Sequence, residues 1–277
     1  MNMKTVTYES VGKFIEAACA KAGDISKSSQ QLNDAGGWQG TSTFAEAVEQ
    51  SKKGWPEGVE RLSGIRASLE HLVEKAVAVR GRNLRWDVTG DFLDVGRMLS
   101  GEPECCGEFR DESEGQLQAR VVRLVANVSA MGSVGSESIF SAGAALYAAV
   151  DILESLGHRV ELWLGSGSER HGTGDRLQVY VLIKEASQQF DPDRLAFFLC
   201  SNASLRRLFF SVEEDLGFPP NGSGTTPLVV DDGMIVTPEV SLWDDTQAKR
   251  IERVLQVCKA AGVQFSQEEL DEITASA

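Results

Sequence analysis

Several things are scarce in this 277-residue chain, and each shortage narrows the reading. There are five cysteines and three histidines. Cys19, Cys105, Cys106, Cys200 and Cys258 are odd in number and scattered, with no C-x-x-C, which fits a reducing compartment better than a disulfide framework. His71, His158 and His171 stand at no spacing that would complete a zinc site with the adjacent pair Cys105-Cys106. Positive charge is also short. With 27 Lys+Arg against 41 Asp+Glu the formal net charge is −14, which opposes any role that coats nucleic acid by neutralising phosphates. No apolar run approaches the roughly 20 residues that span a bilayer. The opening run Met1 to Tyr8 lacks the apolar core and small-residue cleavage site of a secretory signal. The expectation is a cytoplasmic protein that does not enter a membrane.

What the chain does contain falls into three stretches. Residues 1–83 read as a helical region. Val11, Phe14, Ile15, Ala18, Cys19 and Ala22 recur at helical spacing up to Gly23. Thr43 and Glu46 have the spacing of a capping box before a helix from Phe44. After Gly54-Trp55-Pro56, a long amphipathic helix is expected over 57–79, with Val59, Leu62, Ile65, Leu69, Leu72, Val73 and Ala76 on one face. Residues 84–116 read as a short β-rich bridge: Arg85–Val88 and Phe92–Val95 flank Thr89-Gly90-Asp91 as a hairpin or strand pair. An acidic connection from Glu102 to Glu114 follows.

Residues 117–277 read as an α/β domain. Arg120–Val128 is an apolar run suited to a buried parallel strand, and a Gly/Ser-rich loop leads from it into a helix over 139–156. Gly157 ends that helix and Arg159–Leu164 is the next strand, giving a right-handed strand–helix–strand crossover. A second Gly/Ser-rich loop is expected over Gly165–Gly174, then a strand over 177–184. Asp191-Pro192 opens a helix, and Ser201–Ser204 opens another. Leu228-Val229-Val230 reads as a strand ending in Asp231-Asp232-Gly233. Asp245 is placed to cap a helix closed by Gly262. Val263-Gln264-Phe265 reads as a last strand, and Ser266 with Glu269 as the cap of a terminal helix. No internal repeat and no low-complexity tract interrupts this order.

The run Arg123–Met131, its small-residue loop, the long helix and Gly157–Leu162 resemble the opening of a von Willebrand factor A domain. Leu228–Gly233 resembles that family's strand ending in Thr-Asp-Gly, and the closing helix with Ala261-Gly262 and Val263-Gln264-Phe265 resembles its last unit. The resemblance covers about residues 117–265. It implies a three-layer, mostly parallel, doubly wound α/β sheet, preceded here by the helical region. It also implies a metal-ion-dependent adhesion site at the C-terminal sheet edge, whose first loop is Asp-x-Ser-x-Ser. Here Asn127 takes the Asp position and Ser129 the first serine. Ser133 takes the second serine only if the loop is stretched, and Asp231 or Asp232 stands for the distal Asp. An amide in place of the carboxylate weakens such a Mg²⁺ site, because hard cations favour charged oxygen donors. The expected site is therefore degenerate and the expected cofactor none, with Mg²⁺ as the alternative. Gly37–Thr41, Gly54–Gly58 and Gly101–Cys105 resemble uncharacterised proteins of bacteriophages and their hosts.

Other chemistry reads weakly. Gly132-Ser133-Val134-Gly135-Ser136 lacks the Lys-Ser/Thr of a P-loop and does not match G-x-G-x-x-G. Ser129 with His171 and Asp231 suggests a hydrolase triad only on paper, since the G-x-S-x-G elbow is missing. His158 belongs to the opposite sheet edge. Arg206-Arg207, with Arg80, Arg82 and Arg85, are the only basic clusters. The functional rim is expected at Asn127, Ser129, Ser133, Gly165–Gly174, Ser201, Asn202, Asp231 and Asp232. The function expected is non-enzymatic: a phage-encoded interaction or assembly protein with a protein partner. The alternatives are a Mg²⁺-dependent binding module and an enzyme acting on a small or nucleotide substrate through the Gly/Ser loops.

Overall fold

The computed structural model describes residues 2–20, 28–30, 37–63, 84–89, 92–93, 95–109, 120–189, 191–219, 223–241 and 246–263. In chain order the elements are β1 (Met3–Tyr8), α1 (Val11–Cys19), a 3₁₀ turn (Ser28–Gln30), α2 (Phe44–Lys53) and α3 (56–63). Next come β2 (Leu84–Asp87), β3 (Phe92–Leu93), α4 (Val95–Leu99), β4 (Cys106–Phe109), β5 (Val121–Asn127) and α5 (Ser136–Ser155). The chain continues through β6 (Arg159–Arg170), β7 (Arg176–Lys184), α6 (Pro192–Cys200), a π-helical turn (Ser204–Phe209) and α7 (Phe210–Asp215). The last elements among the described residues are β8 (Ser223–Thr225), β9 (Met234–Val236) and α8 (Gln247–Ala260).

The β5–α5–β6 unit is the centre of the molecule. Its strands are parallel, with Val121 opposite Arg159 and Asn127 opposite Gly165. Fifteen residues of α5 are buried, consistent with a helix that is apolar almost all round. The full sheet runs β1-β7-β6-β5-β9, with β8 paired to β6. β1–β7, β5–β6 and β5–β9 are parallel; β6–β7 and β6–β8 are antiparallel. The β6–β7 connection is a tight turn over 171–175, and a turn that short joins only antiparallel neighbours. The fold is thus mixed α/β with a mostly parallel central sheet. Among the described residues, the buried apolar cluster uses one sheet face, with Val122, Leu124, Leu162, Leu164, Val179 and Val181 meeting α1, α5, α6, the π-helical turn and α8.

Several expectations change here. The N-terminal region is not helical throughout. Met3–Tyr8 pairs with β7, Met3 opposite Arg176 and Tyr8 opposite Val181, a partner too remote in sequence for any local pattern to reveal. β2 and β3 do not form a hairpin with each other; β4 lies between them in a separate three-stranded sheet ordered β2-β4-β3. The Gly165–Gly174 loop is mostly strand, since β6 runs on to Arg170. Its Gly-Ser alternation is a period-two strand pattern. A Cβ on Gly165 would meet Leu228 Cδ1 at 2.5 Å and one on Gly167 would collide with Thr226 O, while Ser166 and Ser168 point into the protein.

Leu228-Val229-Val230 is not a strand. The segment lies across the sheet, where Pro227 O accepts from Gln178 Nε2 at 2.9 Å and Val229 O from Tyr180 Oη at 2.8 Å. The ladder with β5 is made six residues later, by Met234–Val236. Helix starts read more faithfully. Thr43 Oγ1 accepts the Glu46 N–H at 3.1 Å, and Asp191 Oδ1 accepts the Arg194 N–H at 3.2 Å ahead of Pro192. The last helix is capped by Thr246 rather than Asp245, which lies outside the described residues. So do most of the expected helix over 57–79, the end of the acidic connection, the strand at 264–265 and the terminal helix.

Candidate functional site

Asn127 closes β5. Its N–H donates to Thr237 Oγ1 at 2.9 Å, and its Oδ1 accepts the Ser129 N–H at 3.1 Å, an Asx turn that bends the chain off the strand. Ser129 is 2% exposed. It fills a gap in the ladder along β6, where β5 has ended and β8 begins. Gly167 donates its N–H to Ser129 Oγ at 2.9 Å and accepts the Thr226 N–H on its own carbonyl at 3.1 Å. The Asn127 side chain thus holds the turn and the Ser129 side chain ties that turn to β6.

Beyond Ala130, which bridges to Val240, the chain turns outward. Met131 is 62% exposed, and Gly132 and Ser133 form an exposed turn before α5. Trp38 braces this turn from the N-terminal segment, donating Nε1–H to Gly132 O at 2.9 Å while staying 39% exposed. Its ring stacks 4.2 Å from the Arg206 guanidinium and 6.2 Å from Phe210. Arg206 donates to Trp38 O at 2.7 Å and Val134 O at 2.5 Å. Arg207 donates to Ser29 O at 2.9 Å and Thr41 O at 2.8 Å. The Arg206-Arg207 cluster is thus buried and spent on backbone carbonyls, not offered to nucleic acid.

The five residues expected around an ion do not converge. Asn127 and Ser129 are neighbours, and Ser133 lies in the exposed turn. Asp231 and Asp232 lie in the turn before β9, at the other end of that strand. Met234 is opposite Arg123, and Arg123 to Asn127 is about 13 Å of strand. The residue beside Asn127 is Thr237, which no sequence reading marked; the Met-Ile-Val-Thr-Pro run was its available signal. Among the described residues no group of three or more His, Cys, Asp or Glu could hold a metal ion. Asn127 Oδ1 and Ser129 Oγ each accept a backbone N–H bond and bring no negative charge, so this pair by itself fits Mg²⁺ poorly.

Enzyme chemistry finds little support in the same region. His171 lies in the turn after β6, about 13 Å along the strand from the Ser129 contact at Gly167, and His158 is buried at the opposite end. Behind Asn127 a narrow cavity of about 30 Å³ runs between Ser201, Ser204, Thr237 and the inner face of α5. Ligand pockets are roughly 300–1,000 Å³, so this one is water-sized. Asn202 is buried with its Nδ2 3.5 Å from Trp38 O, and Ser201 Oγ accepts the Ala203 N–H at 3.2 Å, so both serve the backbone around the π-helical turn.

A further buried charge was invisible in the sequence. Glu213 on α7 is buried and accepts from Ser166 Oγ at 2.6 Å and Ser168 Oγ at 2.8 Å. Burial pushes its carboxyl up to about 7, against the pull of the two serine hydrogen bonds.

Among the described residues no single helix is long and apolar enough to cross a membrane; the bent pair Pro192–Cys200 and Ser204–Asp215 passes by composition, but it lies in the core. No curated protein and no solved structure matches the chain. A family model described as Domain of unknown function (DUF7192) matches residues 2–264, and the chain belongs to that family.

Proposed function

We propose that the chain is a non-enzymatic interaction module on a von Willebrand factor A-like plan, presenting the rim at the C-terminal end of β5 to a protein partner. The strand order β7-β6-β5-β9 around the β5–α5–β6 crossover supports the plan. The observation that carries the interaction reading is the division of labour at the rim. Asn127 and Ser129 are turned inward as braces, while the large apolar side chains of Met131 and Trp38 face outward beside the small exposed Ser133. Exposed large apolar groups on a braced turn are what a protein contact uses. The bacteriophage resemblance suggests a host cytoplasm as the setting and an assembly as the context.

Met131→Asp tests this directly, since Met131 is exposed and the substitution leaves the braces intact. Partners cross-linked to the intact chain in its native cells are expected to be lost from the variant at an unchanged melting temperature. The same partners retained in equal amount would overturn the reading. The Mg²⁺-dependent alternative is tested in parallel. Bound ion stabilises the folded state, so a rise in melting temperature with millimolar Mg²⁺, lost in Asn127→Ala, would favour it.

A further inference from the structure

We infer that the groove between α1, α2 and α6 binds a small organic anion, its acidic head held by Lys52 and Arg194 and its apolar body resting on Val11 and Ile15. The groove is a cavity of about 330 Å³. That lies within the roughly 300–1,000 Å³ of ligand pockets, unlike the water-sized space behind Asn127. One face of α1 forms its wall, where Val11, Gly12, Ile15, Glu16 and Cys19 recur at helical spacing. Val11 and Ile15 belong to the buried core, so the floor is apolar. Two cations reach the groove from other helices, Lys52 from the last turn of α2 and Arg194 from the first turn of α6. Neighbouring Lys53 pairs with Glu49 at 2.6 Å, whereas among the described residues neither Lys52 nor Arg194 ends on a carboxylate. In a chain of net charge −14, this lining holds two cations against the single carboxylate of Glu16. An adjoining cavity of about 200 Å³ shares Gly12 and Arg194 but is lined by Glu9 and Glu185, and its Lys184 is spent on Glu154 at 2.6 Å. Like-charge repulsion there confines the anion to the Lys52 side. Gly12 is a separate observation with the same implication. Glycine weakens a helix relative to alanine, and the packing of the fold does not ask for it here, since a Cβ would meet only Ser10 Oγ, at 4.0 Å. What the missing side chain leaves open is the groove.

The test is a fluorescence titration of the full chain with anilinonaphthalene sulfonate, an organic anion with an apolar body. One saturable site is expected. Arg194→Met and Lys52→Met should each weaken it about tenfold, the loss of one charge-assisted contact. Gly12→Leu should abolish it by filling the groove, with the melting temperature unchanged or raised, because leucine favours a helix over glycine. A saturable signal that survives all three substitutions, or none in the parent, would overturn the site. Octanoate and octyl phosphate then identify the head. Displacement of the probe by either supports the site, and the tighter of the two assigns a carboxylate or a phosphate. Displacement by neither, or equally by neutral octanol, would overturn the acidic head.

Discussion

Glu213 shows how much one residue can carry. A carboxyl that titrates near 7 in the folded chain and near 4.5 when unfolded holds its proton more tightly in the folded state. The sign follows by linkage. Its contribution to stability is complete below about pH 4.5, falls as pH rises, and is gone by about pH 7. The span corresponds to about 3 kcal/mol at most. Glu213→Gln keeps the shape and removes the titration. Urea denaturation across this window should therefore show the stability difference between parent and variant sloping with pH and flattening above about 7. A pH-independent difference would mean that the carboxyl ionises freely where it sits. The same residue explains why Ser166 and Ser168 are serines: a buried acid needs hydrogen-bond donors, and β6 delivers them on alternate positions of its inward face.

At the scale of elements, close approach decides where side chains are forbidden. Gly143 on α5 packs so tightly on α6 that a Cβ would collide with Leu199 O and come within 2.9 Å of Cys200 Sγ. Gly143→Ala, normally favourable in a helix, should here cost about 1–3 kcal/mol, read as a lower urea midpoint with unchanged m. Elements whose cause is local were legible in the sequence: the Thr43 and Asp191 caps, the buried α5, the β5–α5–β6 crossover. Elements whose cause is a distant partner were not. Gly165–Ser168 looks like a loop until the segment crossing over it supplies the reason for glycine. Leu228–Val230 has strand composition, but the Tyr180 hydroxyl takes its Val229 carbonyl and Gln178 takes the Pro227 carbonyl just before it, leaving the ladder to Met234–Val236. The candidate site suffered for the same reason. Asn127 and Ser129 lie at the end of β5, but Asp231 and Asp232 lie before β9 at its opposite end, because the ladder with β5 is made six residues after Leu228. Trp38 reached the rim only through tertiary contacts.

At the scale of the molecule, Arg206 and Arg207 tie the N-terminal segments to the body. Each donates to two backbone carbonyls, and those carbonyls belong to residues 29, 38, 41 and 134. Arg207→Met would leave the Ser29 and Thr41 carbonyls buried without that donor, at a cost of about 3 kcal/mol or more. Limited proteolysis of the variant should cut first in the N-terminal segments while the α5 region stays protected. Cleavage at the parental rate would show that those segments are held by other means.

The pairing of β1 with β7 sets a timetable. Met3 finds its ladder partner at Arg176, so the strand leaves the ribosome long before there is anything to receive it. At roughly 5–20 residues per second, that wait lasts about 10–35 seconds. During it, an extended segment rich in β-branched residues travels unpaired while the rest of the sheet is still being made. Lys4, an exposed charge within that strand, is the kind of residue that discourages it from joining a neighbouring chain first.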